Sequence, residues 1–298
     1  MKTKPHPVRV REKLIEWIMM LCSLVTVFTT IGIILVLTVE TIHFFSEVSI
    51  IDFLTDTQWT PLFSEKHFGI LPLLSGTLLT TTIAILLAVP VGLVIAIYLN
   101  EYAPQRMTSI VKPILEVLET VPTVVYGFFV LQFVTALLQT FIPGLRGFNA
   151  LSPGLVMGVM IIPYITSLSE DALRSVPRSL REASYGMGAT KFQTAFKVMV
   201  PAASSGIIVA IILAISRALG ETMIVAIAAG QEPKLTFNPK ESVETITTYI
   251  VQVSMGDVPQ DSLEYRTIFA AGLTLFVFTF ILNNISFWIR RKYQKRYE

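Results

Sequence analysis

Long apolar runs, not short alternations, organise this chain. Six of them stand out, at residues 17–39, 74–99, 123–142, 151–168, 204–229 and 268–289. A helix needs about 20 mostly apolar residues to cross a bilayer. In lipid every backbone polar group must be paired within its own segment, so runs of this length predict helices. Pro90 and Pro163 fall inside two runs and predict kinks. The first run is too long for the apolar part of a signal peptide and has no small-residue cleavage site after it, so it predicts a retained helix. One segment differs in pattern. Residues 105–121 place Arg106, Lys112, Glu116 and Glu119 among Ile110, Val111, Ile114, Leu115 and Leu118. That alternation predicts an amphipathic helix lying along the membrane interface.

Composition agrees with a membrane chain. Of 298 residues, 53% are hydrophobic and only 15% are charged, against about 25% in ordinary soluble domains. The expected fold is an all-α integral membrane protein of six transmembrane helices. Basic residues set its orientation. The N-terminus carries Lys2, Lys4, Arg9, Arg11 and Lys13, the second connection Arg106 and Lys112, and the fourth Arg174, Arg178, Arg181, Lys191 and Lys197. The C-terminus adds Arg290, Arg291, Lys292, Lys295 and Arg296. The alternate connections hold only Lys66, Arg146, Lys234, Lys240 and Arg266. The positive-inside rule then places both termini in the cytoplasm, and six spans satisfy that parity. The expected layout is a cytoplasmic tail (1–16), a first transmembrane helix (17–45), a periplasmic loop (46–73), a core (74–290) and a basic tail (291–298). Within the core lie a cytoplasmic connection at 172–203 and an outer loop at 230–266. The two outer loops are rich in acids, which reads either as solvated surface or as a docking face for an external partner.

The cytoplasmic connection carries a pattern of its own. It reads Arg181-Glu182-Ala183-Ser184-Tyr185-Gly186-Met187-Gly188, and continues through Val198 and Val200 to Pro201. Small residues on a short helix can seat in a groove of another protein. Gly188 allows a sharp change of direction, and Pro201 suits the first turn of the next helix. A basic loop resting on anionic lipid is the alternative. The spacing resembles the EAA signature of ABC-importer permeases, with Glu182, Ala183, Gly188 and Pro201 at its fixed places and Ser184 where the second alanine usually stands. The resemblance implies a type I importer permease fold and a loop that docks on a cytoplasmic ATPase. The chain has no Gly-x-x-x-x-Gly-Lys-Ser/Thr run, so ATP and its magnesium would belong to that partner. It is not expected to be an enzyme or to hold a cofactor.

The fifth run contains Ser216-Arg217-Ala218-Leu219-Gly220-Glu221-Thr222. A charge at bilayer depth is costly unless paired or hydrated. Four residues apart on one helix, Arg217 and Glu221 would pair. Either the pair is structural, or Arg217 meets an anion in a translocation path with Glu221 as its counter-ion. A guanidinium suits the second role, because its planar fork matches phosphate oxygens and it stays charged. Arg-Ala-x-Gly-Glu-Thr resembles the phosphate branch of the importer permeases. So do Asn100-Glu101-Tyr102-Ala103-Pro104 and Val121-Pro122-Thr123-Val124-Val125-Tyr126-Gly127. The first outer loop, with Asp52-Phe53-Leu54, Trp59-Thr60-Pro61 and Phe68-Gly69-Ile70, is similar to the PstC type of subunit. That resemblance implies residence in the bacterial inner membrane and a set of partners. These are a paralogous permease of PstA type, a PstB-type ATPase dimer, a PstS-type phosphate-binding protein, membrane lipid and, through phosphate signalling, a sensor kinase. A nucleic acid is not among them. Molybdate, sulfate and phosphonate remain alternative cargoes.

The remaining chemistry is sparse. Cys22 lies alone in an apolar run and reads as packing. His6, His43 and His67 match no metal-ligand spacing. Glu40, Glu170 and Asp171 read as helix-end residues at the water boundary.

Overall fold

The protein is described by a computed structural model covering the backbone of residues 7–294 and side chains from 12 to 289. Lys2, Lys4, Lys295 and Arg296 of the two basic tails lie outside the described backbone. Helix α1 (Pro7–Glu47) leads through short α2 (Ile50–Thr55) to α3 (Leu71–Glu101). Amphipathic α4 (Gln105–Thr120) follows. The third apolar run is α5 (Thr123–Phe129), one wide π turn (Val130–Val134) and α6 (Thr135–Phe141). Next come α7 (Leu151–Arg174) and α8 (Arg178–Gly186). A short α9 (Lys191–Thr194), a second π turn (Ala195–Met199) and α10 (Val200–Ala202) lead into α11 (Ser204–Leu219). The chain ends with α12 (Met223–Ala228), α13 (Ile246–Met255) and α14 (Leu263–Gln294). Among the described residues five helices are long and apolar enough to span a membrane, and a sixth span arises when residues 191–202 and 204–219, bent by 71°, are taken together. Neither Pro90 nor Pro163 ends its helix.

The centre of the molecule is the α3–α7 pair. Without a hydrophobic drive between helices in lipid, close backbone approach through small residues supplies the packing. A Cβ at Gly158 would stand 2.8 Å from the Ala84 carbonyl oxygen, and one at Gly154 would stand 2.9 Å from the Ile83 side chain. Only hydrogen fits at either place. Met157, Met160, Ile161 and Ile165 fill the core behind these contacts, with Ala214, Ala218, Ile224 and Ala228 from α11 and α12.

The fifth run departs from expectation. It is two helices, broken at residues 220–222, rather than one. Gly220 is a weak helix former. Beyond it Glu221 folds forward, and its Oε1 accepts the amides of Met223 at 3.1 Å and Ile224 at 3.3 Å. A carboxylate at a helix start satisfies donors that have no partner within the helix.

The acid-rich segments are largely exposed, but each sends a few residues into the core. Phe44, Phe53, Trp59, Ile70, Ile246 and Tyr249 form one buried cluster joining α1, α2 and α13. Residues 242–247 thread back beside α3 and the break. Ser242 donates to the Ala229 carbonyl, the Ile246 amide to Thr77 Oγ1, and Thr247 Oγ1 to the Glu221 carbonyl. Glu244, outside the spanning helices, is 2% exposed, and its Oε1 has no hydrogen-bond partner among the described residues. Burial pushes its carboxyl up to about 8.

The folded chain therefore keeps a proton on Glu244 that the unfolded chain releases above the ordinary carboxylate pKa. Its contribution to stability is full below that ordinary value. It declines as pH rises and is gone above about pH 8. Thermal unfolding of the detergent-solubilised protein should show a midpoint that falls across this window. The Glu244→Gln variant should keep the acid-side midpoint with a visibly flatter pH profile. Parallel profiles for the two proteins would show that Glu244 is not the titrating group.

Candidate functional site

Arg217 sits near the end of α11, about 20 Å along its axis from Ser204 at the rise of an α-helix. The expected pairing with Glu221 does not form. The helix ends two residues earlier, and Glu221 is spent on the α12 amides. Arg217 Nη1 instead donates to Glu119 Oε1 at 2.8 Å. Its guanidinium also lies over the ring of Tyr164 on α7, 5.2 Å from the centroid, an arrangement favoured by the ring quadrupole. The two charged side chains are 34% and 37% exposed, so this chain leaves one side of the pair uncovered.

The partner comes from α4. Its Lys112 and Glu119 reach the bundle, while Arg106, Ile110, Ile114, Glu116 and Val117 stay exposed. Lys112 Nζ bonds Glu170 Oε2 of α7 at 2.7 Å. Seven residues further along α4, Glu119 shares a cavity with Pro163, seven residues back along α7. Helix α4 therefore packs against α7 through Lys112 and the cavity that the two helices share. The cavity between them, about 100 Å³, is lined by Lys112, Glu116, Glu119, Thr166, Ser167 and Glu170. Glu170 is not a water-boundary residue. Its side chain is 2% exposed and also receives Arg174 Nη2 at 2.8 Å, because α7 continues one turn beyond it. Tyr126 of α5 donates its hydroxyl to the Leu118 carbonyl at 2.8 Å and fastens the α4–α5 corner.

The connection at 172–203 is built largely as its spacing implies. Glu182 and Ala183 are exposed on α8. Gly188 has φ +81°, with nothing within 4 Å of a would-be Cβ. Its amide bonds the Tyr185 carbonyl at 2.9 Å, and the chain reverses. Thr190 and Gln193 then cap α9 reciprocally. Ser184 bonds Thr194 hydroxyl to hydroxyl at 2.9 Å and closes the α8–α9 corner. Pro201 opens the single turn α10, and the bend into α11 follows at Ala203. Around the reversal Tyr185, Met187, Phe192 and Phe196 stand exposed. Next to Glu182, Arg181 Nη2 bonds Glu101 Oε1 at the end of α3 at 2.7 Å, and the Glu101 side chain is 2% exposed.

Sequence reasoning brought out Arg217, Glu182, Ala183, Gly188 and Pro201 but missed Glu119, Glu101 and the buried role of Glu170. Glu119 lies 98 residues from Arg217, beyond the reach of any helical spacing. The available signal was an acidic residue on the polar face of α4 with no basic neighbour one turn away.

The comparisons with known proteins agree with one another. Residues 88–297 match the family described as binding-protein-dependent transport system inner membrane component. The chain is 37% identical over 262 residues to the probable ABC transporter permease protein YqgH of Bacillus subtilis (strain 168), covering 87% of this chain and 84% of that protein. It is 34% identical over 252 residues to the phosphate transport system permease protein PstC of Mesorhizobium japonicum, covering 77% and 75%. Among solved structures it is similar to a chain of the bacterial alginate ABC transporter in complex with its pentasaccharide-bound periplasmic protein. The TM-score there is 0.64 at 16% identity, over 95% of this chain and 96% of that chain. A chain of the inward-facing MetNI methionine ABC transporter gives a TM-score of 0.55 at 18% identity, over 76% and 94%. Likeness at such identities shows the fold alone. The chain belongs to the binding-protein-dependent transport system inner membrane component family and is an inner-membrane permease of an ABC importer, a subunit that works with an ATPase and a binding protein.

Proposed function

We propose that this chain forms half of the translocation path of an ATP-driven importer of inorganic phosphate, the other half being a paralogous permease. The observation that carries the reading is Arg217, a permanent cation held deep in the bundle, left uncovered on one side and braced by Tyr164 on another. A planar donor fork suits a tetrahedral oxyanion. The name of the PstC relative supports phosphate among the oxyanions.

In this reading both termini and the 172–203 connection face the cytoplasm, and the two acid-rich segments face outward. A phosphate-binding protein of PstS type docks there and releases its cargo into the gap between this chain and a PstA-type partner. A PstB-type ATPase pair binds ATP with magnesium and receives α8 and the exposed Tyr185, Met187 and Phe192. Closure of the ATPases displaces α8. The Arg181–Glu101 bridge passes that movement to α3, and the glycine contacts pass it to α7, which carries Tyr164 beneath Arg217. Glu182 and Gly188 serve the coupling. Arg217 serves the cargo. Glu221 holds the break open for α12 and does not neutralise Arg217.

Uptake of labelled phosphate at micromolar concentration, in cells lacking their own importer and supplied with this chain and its partners, tests the cargo. Uptake should require this chain and should resist excess molybdate, sulfate or phosphonate. Abolition by one of these would move the cargo to that anion. Arg217→Ala should lower uptake about tenfold or more, as expected for losing a charge-assisted hydrogen bond of about 2 kcal/mol. Arg217→Lys should retain part of it. Normal rates in both variants, at normal assembly, would remove Arg217 from the path.

The coupling corner supplies a second expectation. At Gly188 a side chain meets no neighbour, so only the backbone penalty counts, about 1–2 kcal/mol for a left-handed residue. Asparagine tolerates that region better than a β-branched residue. Transport per ATP hydrolysed should fall in the order glycine, Gly188→Asn, Gly188→Val. Equal coupling in all three would show that the reversal does not need its positive φ.

A further inference from the structure

We propose that Glu119 is a resident competitor for the anion: its carboxylate occupies Arg217 when the path is empty, the oxyanion displaces it, and its return helps to expel the cargo. The proposal rests on the reading of Arg217 as an anion contact and names a residue that this reading does not require.

Three observations carry it. The carboxylate holds the same guanidinium that an incoming oxyanion would use, through one hydrogen bond of 2.8 Å between Nη1 and Oε1. The alternative counter-ion is committed elsewhere, since Glu221 Oε1 accepts two α12 amides. Arg217 also keeps a second support that no anion contests, the Tyr164 ring at 5.2 Å. When Glu119 leaves, Arg217 therefore stays in place.

Exposure sets which bond exchanges. A buried pair cannot open without stranding a charge, whereas a pair open to water loses little. Glu119 and Arg217 are 37% and 34% exposed, while the Glu170 and Glu101 side chains are 2% exposed. The neighbouring cavity of about 100 Å³ is lined by Thr166 and Ser167 but also by the carboxylates Glu116 and Glu170, so the freed carboxylate turns to its open side and not into the cavity. Lys112 itself stays on Glu170. A competitor for a site lowers the apparent affinity for its ligand by the fraction of time that the site is taken. A transporter needs such weakening, because an anion bound too well to a desolvated cation would not leave. Glu119 provides it without altering Arg217.

The test uses the complete importer in proteoliposomes, with the ATPases facing the lumen and ATP inside. Inorganic phosphate is preloaded in the lumen at increasing concentration, and uptake of labelled phosphate is measured. In the starting protein Glu119 clears Arg217 of lumenal phosphate, so inhibition needs a high concentration. Glu119→Gln keeps the shape and removes the charge. It should lower the half-inhibiting phosphate concentration about fivefold, the span of a partly exposed ion pair. Glu119→Asp keeps the charge on a shorter arm and should fall between the two. If the glutamine variant does not assemble, the aspartate shift decides alone. Unchanged inhibition in the assembled variants would overturn the competitor role. Failure of the anion-contact reading is separate, and shows as normal uptake by Arg217→Ala. A purely structural Glu119 would lower the amount of assembled complex without moving the inhibition curve.

Discussion

Two helices that nearly touch set the frame for the other spans. Between α3 and α7 the backbones approach until no side chain fits at Gly154 or Gly158. Oil-like burial offers helices in lipid no reward for meeting, so contact at van der Waals distance over a long seam has to supply it. The seam fixes α7 against α3 from its start. It follows that α7 can offer one flank to α11, through Ala172 against Gly206, and another to α4. Charged residues can then be placed on α4 and α11 in the confidence that α7 will not drift between them.

On that frame three ion pairs join different elements. Arg181 and Glu101 join α8 to α3, Lys112 and Glu170 join α4 to α7, and Glu119 and Arg217 join α4 to α11. Helix α4 is thus pinned twice, by a cation at one point and an anion two turns later. Rolling α4 about its axis would strain both bonds together. Those two bonds turn Lys112 and Glu119 inward, while Ile110, Ile114 and Val117 stay outside.

Much of this was legible from residues alone, where the cause is local. The six runs are set by length and apolar content. The reversal at Gly188 was readable because a left-handed turn favours glycine, and Thr190 with Gln193 writes its own cap. The errors came where a local rule assumed something that tertiary structure decides. Pairing Arg217 with Glu221 took the helix as continuous, although Gly220 and Thr222 flank the acid. The reading of residues 105–121 gave its charges no partners, although Lys112 meets Glu170 and Glu119 meets Arg217, 58 and 98 residues away.

Exposure then orders these bonds by what each can do. Glu170 and Glu101 have side chains 2% exposed. Opening the Arg181–Glu101 bond would leave a carboxylate without water or cation, which costs several kcal/mol, and Glu170 is held by Arg174 as well as by Lys112. Such bonds transmit movement because they do not break. The Glu119–Arg217 pair is left uncovered on one side, so water or a dissolved anion can take over either partner. On the proposed reading, a machine that must both hold and release a charged cargo needs bonds of both kinds, rigid ones toward its motor and an exchangeable one at its path. In this chain the buried bonds lie at the end carrying α8 and the more open one lies beside Tyr164. That ordering follows from burial alone.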